Sequence, residues 1–318
     1  MSHCVDDFER GVRVQNSSTE AVSDSMLGRW GADDERGALN LLDDATVLAA
    51  TKGCKTGKVY NLGLPVQRQG VPWFDYRGAP QRLTLTGAGE QGAFESYGGP
   101  SDLGANEDVL IIAAHNGTHM DALSHVYAEN KIYNGYGADT FTASGGAAKC
   151  GIEKTGGFAA RGVLLDLAGH FGVEWLEPGT AISGDDLEAC RVAQGVEIRR
   201  GDAVLVHTGW LRLFSSLEAG AQPPFAQPGL ALSAVPFLAD HDVSAVGADN
   251  AAIEVIPFDG GQFLVVHIEL LVKRGITLIE HLNLRALADD KCYECLFVAA
   301  PMLVTGASGC PLNPIAIG

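Results

Sequence analysis

The chain has 318 residues, 46% hydrophobic and 19% charged, which is enough apolar content for a sizeable core and too little charge for a disordered chain. Its 39 acidic residues outnumber 22 basic ones, for a formal net charge of −17. A surface of that sign repels phosphate backbones and anionic bilayers, which argues against nucleic-acid and membrane partners. The opening MSHCVDDFER has no apolar stretch of the signal-peptide kind, and seven scattered cysteines do not read as a disulfide framework, so a cytoplasmic location is expected.

Residues 1–27 read as a polar arm ahead of a single domain spanning 28–318. Asp43 or Asp44 can cap a helix running to about Lys52 and closed by Gly53. Residues 68–107 are rich in Gly, Pro and polar residues and form a long loop region carrying Trp73, Phe74 and Tyr76. Val109–Ala114 reads as a buried strand leading into a histidine-rich stretch. Further on, strands are expected at 163–167, 203–207, 243–248, 276–279 and finally 296–304, where Pro301 demotes part of the last one. Helices are expected between them: one opened by a capping box at Ser183–Asp186 and ending near Gly195, then 210–218, 233–240 and 264–274, the last stopped by Gly275. Residues 222–228 are a Pro-rich connection. The alternation makes this an α/β, mixed β/α chain. Cys292-Tyr293-Glu294-Cys295 has no second cysteine pair, so it reads as a strand with one buried thiol.

Residues 115–125 carry the chemistry: His115, His119, Asp121 and His125 fall within eleven positions, all odd-numbered. Alternation places 115, 117, 119 and 121 on one face of an extended strand end that bends near Ala122. Gly117 lets the backbone approach closely, and Thr118 can hydrogen-bond neighbouring groups. Neutral imidazoles beside a carboxylate are the donors a divalent metal takes. Outside this stretch His207, at a strand end, is a pocket candidate, as are Trp73 and Phe74, which could cover a flat substrate. Asp249 reads as a turn support, and His3, His170 and His241 as surface residues.

The pattern His115, Gly117, Thr118, His119, Asp121, His125 resembles the motif of the cyclase-like metal-dependent hydrolases. The stretch Trp30 to Gly37 is similar to an N-terminal segment of that family's longer members; Asp202–Val206 with Thr208-Gly209-Trp210, Gly247-Ala248-Asp249 and Glu280-His281-Leu282 are similar to further family segments. Leu123 stands where the kynurenine formamidase and isatin hydrolase branches usually carry Pro, which points to a different subgroup. The resemblance implies a swivelling-type domain with a barrel-like sheet flanked by helices. It implies metal ligation by His115, His119 and Asp121, with His267 and Glu280 as candidates for a second metal, and His125 as general base or proton shuttle. It also implies Mn2+ or Zn2+ and a homodimer or homotetramer. The activity to expect is hydrolysis of an amide, cyclic amide or lactone of a small molecule. A metal-dependent cyclase, dehydratase or isomerase without net hydrolysis is the second expectation, and a non-catalytic binding protein the third.

Overall fold

The computed structural model describes residues 27–90, 94–218 and 224–318, so nearly all of the expected arm 1–27 lies outside the described residues. The strands in chain order are β1 (Val59–Asn61), β2 (Gln81–Thr86), β3 (Glu107–Ile111), β4 (His119–Asp121), β5 (Phe141–Thr142), β6 (Gly146–Ala147), β7 (Phe158–Asp166), β8 (Ala181–Ile182), β9 (Ala203–His207), β10 (Gly229–Leu230), β11 (Ala245–Ala248), β12 (Thr277–Glu280), β13 (Glu294–Ala299), β14 (Gly309–Pro311) and β15 (Ile315–Ile317). The helices are α1 (Asp44–Ala50), α2 (Ile152–Thr155), α3 (Leu167–His170), α4 (Gly184–Gln194), α5 (Trp210–Ser216), α6 (Val235–Asp240), α7 (Val265–His267) and α8 (Arg285–Asp289).

Nine strands form one curled sheet in the order β1-β15-β13-β7-β9-β11-β12-β4-β14. Its centre, β7-β9-β11-β12, is parallel, and the pairings at both flanks are antiparallel. The central strands are apolar on both sides. Val204, Val206, Val246 and Leu278 belong to one core cluster, while Ala203, Leu205, Ala245 and Ile279 belong to another. A parallel sheet covered on both faces needs this kind of continuous apolar run. Helix ends follow their local signals. The Asp43 carboxylate accepts from the Thr46 N–H at the start of α1, and Ser183 with Asp186 completes a capping box at α4, which Gly195 ends at φ +68°. Among the described residues no helix is long and apolar enough to cross a membrane.

Three expectations are corrected. The apolar run before the histidine stretch is not a buried strand: every residue of β3 is exposed, because it pairs only with β2 in a separate two-stranded ribbon. Nor does a strand run straight into the motif. Residues 114–118 turn, with Gly117 at φ +61°, and extended structure resumes only at His119. The strand at 296–304 stops at Ala299, ahead of Pro301, and is not the last; β14 and β15 follow and pair with β4 and β1. The helix at 264–274 is present but irregular, since α7 passes into a π-helical turn at Ile268–Val272 after a left-handed Leu264 at φ +54°. As expected, Cys295 is the buried thiol of its pair.

Candidate metal centre

Strand register builds the site. In the antiparallel pair β4–β12, His119 lies directly opposite Glu280, so the two side chains share a face. His119 Nε2 lies 3.3 Å from Glu280 Oε2 and 3.6 Å from Asp121 Oδ1. Its other nitrogen, Nδ1, donates to the Gly117 carbonyl at 2.8 Å, which leaves Nε2 as the atom turned to the carboxylates. The turn at 114–118 swings His115 back over the strand, where its Nδ1 comes 2.8 Å from Asp121 Oδ1 and its Nε2 3.0 Å from the Ser308 hydroxyl on the approach to β14. Thr118 ties the motif to its neighbours: its hydroxyl donates to the His281 carbonyl at 2.6 Å and accepts from the Leu64 N–H at 2.8 Å. Arg77 donates to the His115 carbonyl while lying over the rings of Phe74 and Tyr76.

His267, at the end of α7, completes the group. Its Nε2 lies 3.3 Å from Glu280 Oε1 and 3.8 Å from Asp121 Oδ2. Among the described residues two ligand sets follow, each with its donor atoms within 4.8 Å of one another: His115, Asp121 and His125; and Asp121, His267 and Glu280. Asp121 belongs to both. His119 faces the two carboxylates of the second set. The His125 ring stacks on His115 with centroids 3.7 Å apart, and His125 is half-buried where His115, His119, Asp121, His267 and Glu280 are buried.

The residues fit a divalent cation. Asp121 is wholly buried, yet its Oδ2 has no hydrogen-bond partner. An unpaired buried carboxylate oxygen is costly, and a cation satisfies it. Burial raises the carboxyl of Asp121, but the surrounding imidazoles His125, His115 and His119 overcome it and hold that carboxyl far below the usual range. Burial likewise opposes charge on His267, but Glu254 and Glu280 push its pKa up to about 10. Carboxylates thus crowd this centre closely enough to demand positive charge. Imidazole and carboxylate donors suit first-row divalent ions.

All six residues expected from the sequence, His115, His119, Asp121, His125, His267 and Glu280, come together. Trp73, Phe74 and His207 do not line the same cluster. Trp73 borders a cavity of about 210 Å³ behind the motif, against Asn116, Gly117 and Thr118. Phe74 stacks on Tyr76 at 5.7 Å. His207 lines a separate cavity of about 160 Å³ beside Asp249, and its Nδ1 lies 2.7 Å from Asp166 Oδ1. Asp249 supports a turn, accepting from the N–H groups of Thr208 and Gly209 at 2.9 and 2.8 Å. His170 is exposed and His241 half-buried; His3 lies outside the described residues. Sequence reasoning missed Glu254, which is buried and 2.6 Å from His267 Nδ1.

The Cyclase family model matches residues 60–255, well over half of the chain. Among curated proteins, none matches the chain. The crystal structure of a novel cyclase is similar at 30% identity and TM-score 0.82, covering 92% of this chain and 97% of that one. Two more distant structures share the fold. A potential metal-dependent hydrolase with cyclase activity has 23% identity, TM-score 0.50 and coverage of 81% and 98%. Isatin hydrolase A from Labrenzia aggregata, bound to benzyl benzoate, has 17% identity, TM-score 0.56 and coverage of 81% and 93%. With the family model over residues 60–255, the 30% identical structure over nearly the full length and the histidine motif inside the matched region, the chain belongs to the Cyclase family.

Proposed function

We propose that this chain is a metal-dependent hydrolase that activates water to cleave an amide, cyclic amide or lactone bond of a small molecule. The observation that carries the reading is the convergence of two imidazole–carboxylate sets on the half-satisfied carboxylate of Asp121. His115, His119, Asp121, His267 and Glu280 would hold the ion or ions, Mn2+ or Zn2+. A divalent cation there supplies the charge that acidifies water and polarises a carbonyl. The chain's own groups do the rest. His125, half-buried at the edge of the cluster, accepts the proton of the attacking water and hands it to the leaving nitrogen or oxygen. The Ser308 hydroxyl and the Asp121 carboxylate hold the His115 ring on either side, so His125 stacks on a fixed surface.

His125→Ala tests the assignment. The expected variant keeps its metal by elemental analysis and loses about 100-fold or more in turnover on an amide and lactone panel, in line with the loss of a general base. Full activity in His125→Ala removes His125 from the role. Mass spectrometry of the product separates the alternative, since a cyclase, dehydratase or isomerase yields no water-added product. We also propose a homodimer or homotetramer. The support is the exposed apolar ribbon of Leu83, Leu85, Val109, Leu110 and Ile111, a larger cluster than isolated surface apolar residues make, and light scattering on the purified chain tests it.

A further inference from the structure

Glu254 lies outside every motif, yet it is fully buried. Its carboxylate accepts from three nitrogens of one short element. The Val266 N–H lies 3.2 Å from Oε2, the His267 N–H 3.1 Å from Oε1, and His267 Nδ1 2.6 Å from Oε1. The two backbone N–H groups are those left over at the start of α7, where no side chain of the helix's own N-cap, Leu264, can serve them. One carboxylate therefore both ends the helix and grips the ring that the helix carries.

The ring orientation follows. A carboxylate acceptor 2.6 Å from Nδ1 holds a proton on that nitrogen, so Nε2, which faces Glu280 and Asp121, is the nitrogen that gives up its proton when a cation binds. The segment carrying Glu254 is itself fixed. Asn250 donates to the Pro228 carbonyl at 2.7 Å, Ala251 N–H donates to Gln227 at 2.8 Å, and Ile253 holds a left-handed φ of +58°. Gly229 packs so closely that a Cβ there would lie 2.4 Å from the Glu254 carbonyl carbon.

We propose that Glu254 is a positioning residue for one of the two ligand sets: it fixes the tautomer and the aim of His267, so that cation binding by Asp121, His267 and Glu280 depends on it while binding on the His115 side of Asp121 does not. This rests on the cation-binding reading proposed above. Removing an outer carboxylate of this kind weakens metal affinity by about 10–100-fold.

The test titrates Mn2+ alone into the full-length chain and into Glu254→Gln by calorimetry, with metal content measured after dialysis. The wild-type chain should take two ions. Glu254→Gln should keep one at its original affinity and hold the other about 10–100-fold more weakly. A purely structural role would weaken both alike. Equal affinities in variant and wild type, or equal loss at both, overturn the proposal alone; a wild-type chain that takes up no Mn2+ overturns the cation reading and this proposal with it. If the variant does not fold, nitrogen-15 NMR of the wild-type histidines decides. A His267 ring protonated at Nδ1 is expected, and one protonated only at Nε2 overturns the assignment.

Discussion

Two groups of histidine and carboxylate sit where the central parallel strands end. One gathers Asp166 from the end of β7, His207 from the end of β9 and Asp249 just past β11. The other gathers Glu280 from the end of β12 with His119, Asp121 and His267. Their residue types are alike, and their hydrogen-bond accounting is opposite. Both oxygens of Asp249 are engaged: Oδ1 by the Thr208 N–H and hydroxyl, Oδ2 by the Gly209 N–H. Asp166 takes His207 Nδ1 and also accepts the Gly169 N–H that starts α3. In the second group Asp121 Oδ2 has no donor, and the histidine nitrogens that could donate elsewhere are turned toward carboxylates. The first group spends its polar capacity on holding strand ends to helices. The second retains capacity for something that arrives from outside. Which histidine–carboxylate cluster can be a site is decided by what remains unpaired, and residue type alone does not separate the two.

The comparison is broken or sharpened most strongly by paired substitutions. Asp121→Asn removes the carboxylate common to both ligand sets, and metal content and turnover should fall by more than the about 100-fold that bounds the effect of an outer partner. Asp249→Ala should leave metal content unchanged but strand three buried donors, costing about 3–9 kcal/mol of folding stability at about 1–3 kcal/mol per unpaired group. Elemental analysis and urea denaturation read the two outcomes. If Asp249→Ala sheds metal, or Asp121→Asn keeps it, the division between holding and binding clusters is wrong.

A smaller effect is expected from pH. Burial opposes charge on His207, but its hydrogen bond to Asp166 and the nearby Asp249 outweigh that and hold its pKa above the ordinary 6.5. Burial likewise opposes charge on Asp166, and the His207 and Gly169 hydrogen bonds hold it below the ordinary 3.8. A raised folded-state value means that His207 contributes its full stability below pH 6.5 and loses it as pH rises through the folded value. A lowered value means that Asp166 contributes above pH 3.8 and loses it as pH falls through its own. The stability difference between wild type and His207→Asn should therefore be largest between those limits and shrink toward alkaline pH, with a slope no steeper than about 1.4 kcal/mol per pH unit. A difference that grows above pH 6.5 reverses the sign and removes the ion pair from the account.

How much of this was legible follows from the range of each interaction. The capping box at Ser183 and Asp186, the Gly195 stop and the central strands are local signals, and they appear where their residues say. His115, His119, Asp121 and His125 are close in sequence, so their clustering needs only one turn of chain, although that turn at Gly117 replaces the expected extended face. His267 and Glu280 were reachable through a family resemblance, because nothing in their own surroundings says that β12 will pair with β4. Glu254 was not reachable. It sits in an aperiodic stretch, and its role depends on α7 bringing His267 back from thirteen residues later with the helix's first N–H groups free.

The ribbon β2–β3 shows the opposite failure, since an apolar run with a core-like pattern lies on the surface. Val109 pairs across the ribbon with Leu83, and both are exposed, at 37% and 48%. Val109→Thr keeps the β-branched shape that the strand favours and changes only a methyl for a hydroxyl. In a buried strand that hydroxyl would cost about 1–3 kcal/mol without a partner. On a ribbon left in solvent the change would stay within about 0.5 kcal/mol, whereas the homo-oligomer proposed above predicts a larger loss. Denaturation at two protein concentrations well apart makes the result informative in both directions. A small, concentration-independent change leaves the ribbon facing solvent at Val109. A larger loss that grows on dilution puts Val109 in a contact between subunits, because only a covered surface can charge for the hydroxyl and only an intermolecular one depends on dilution.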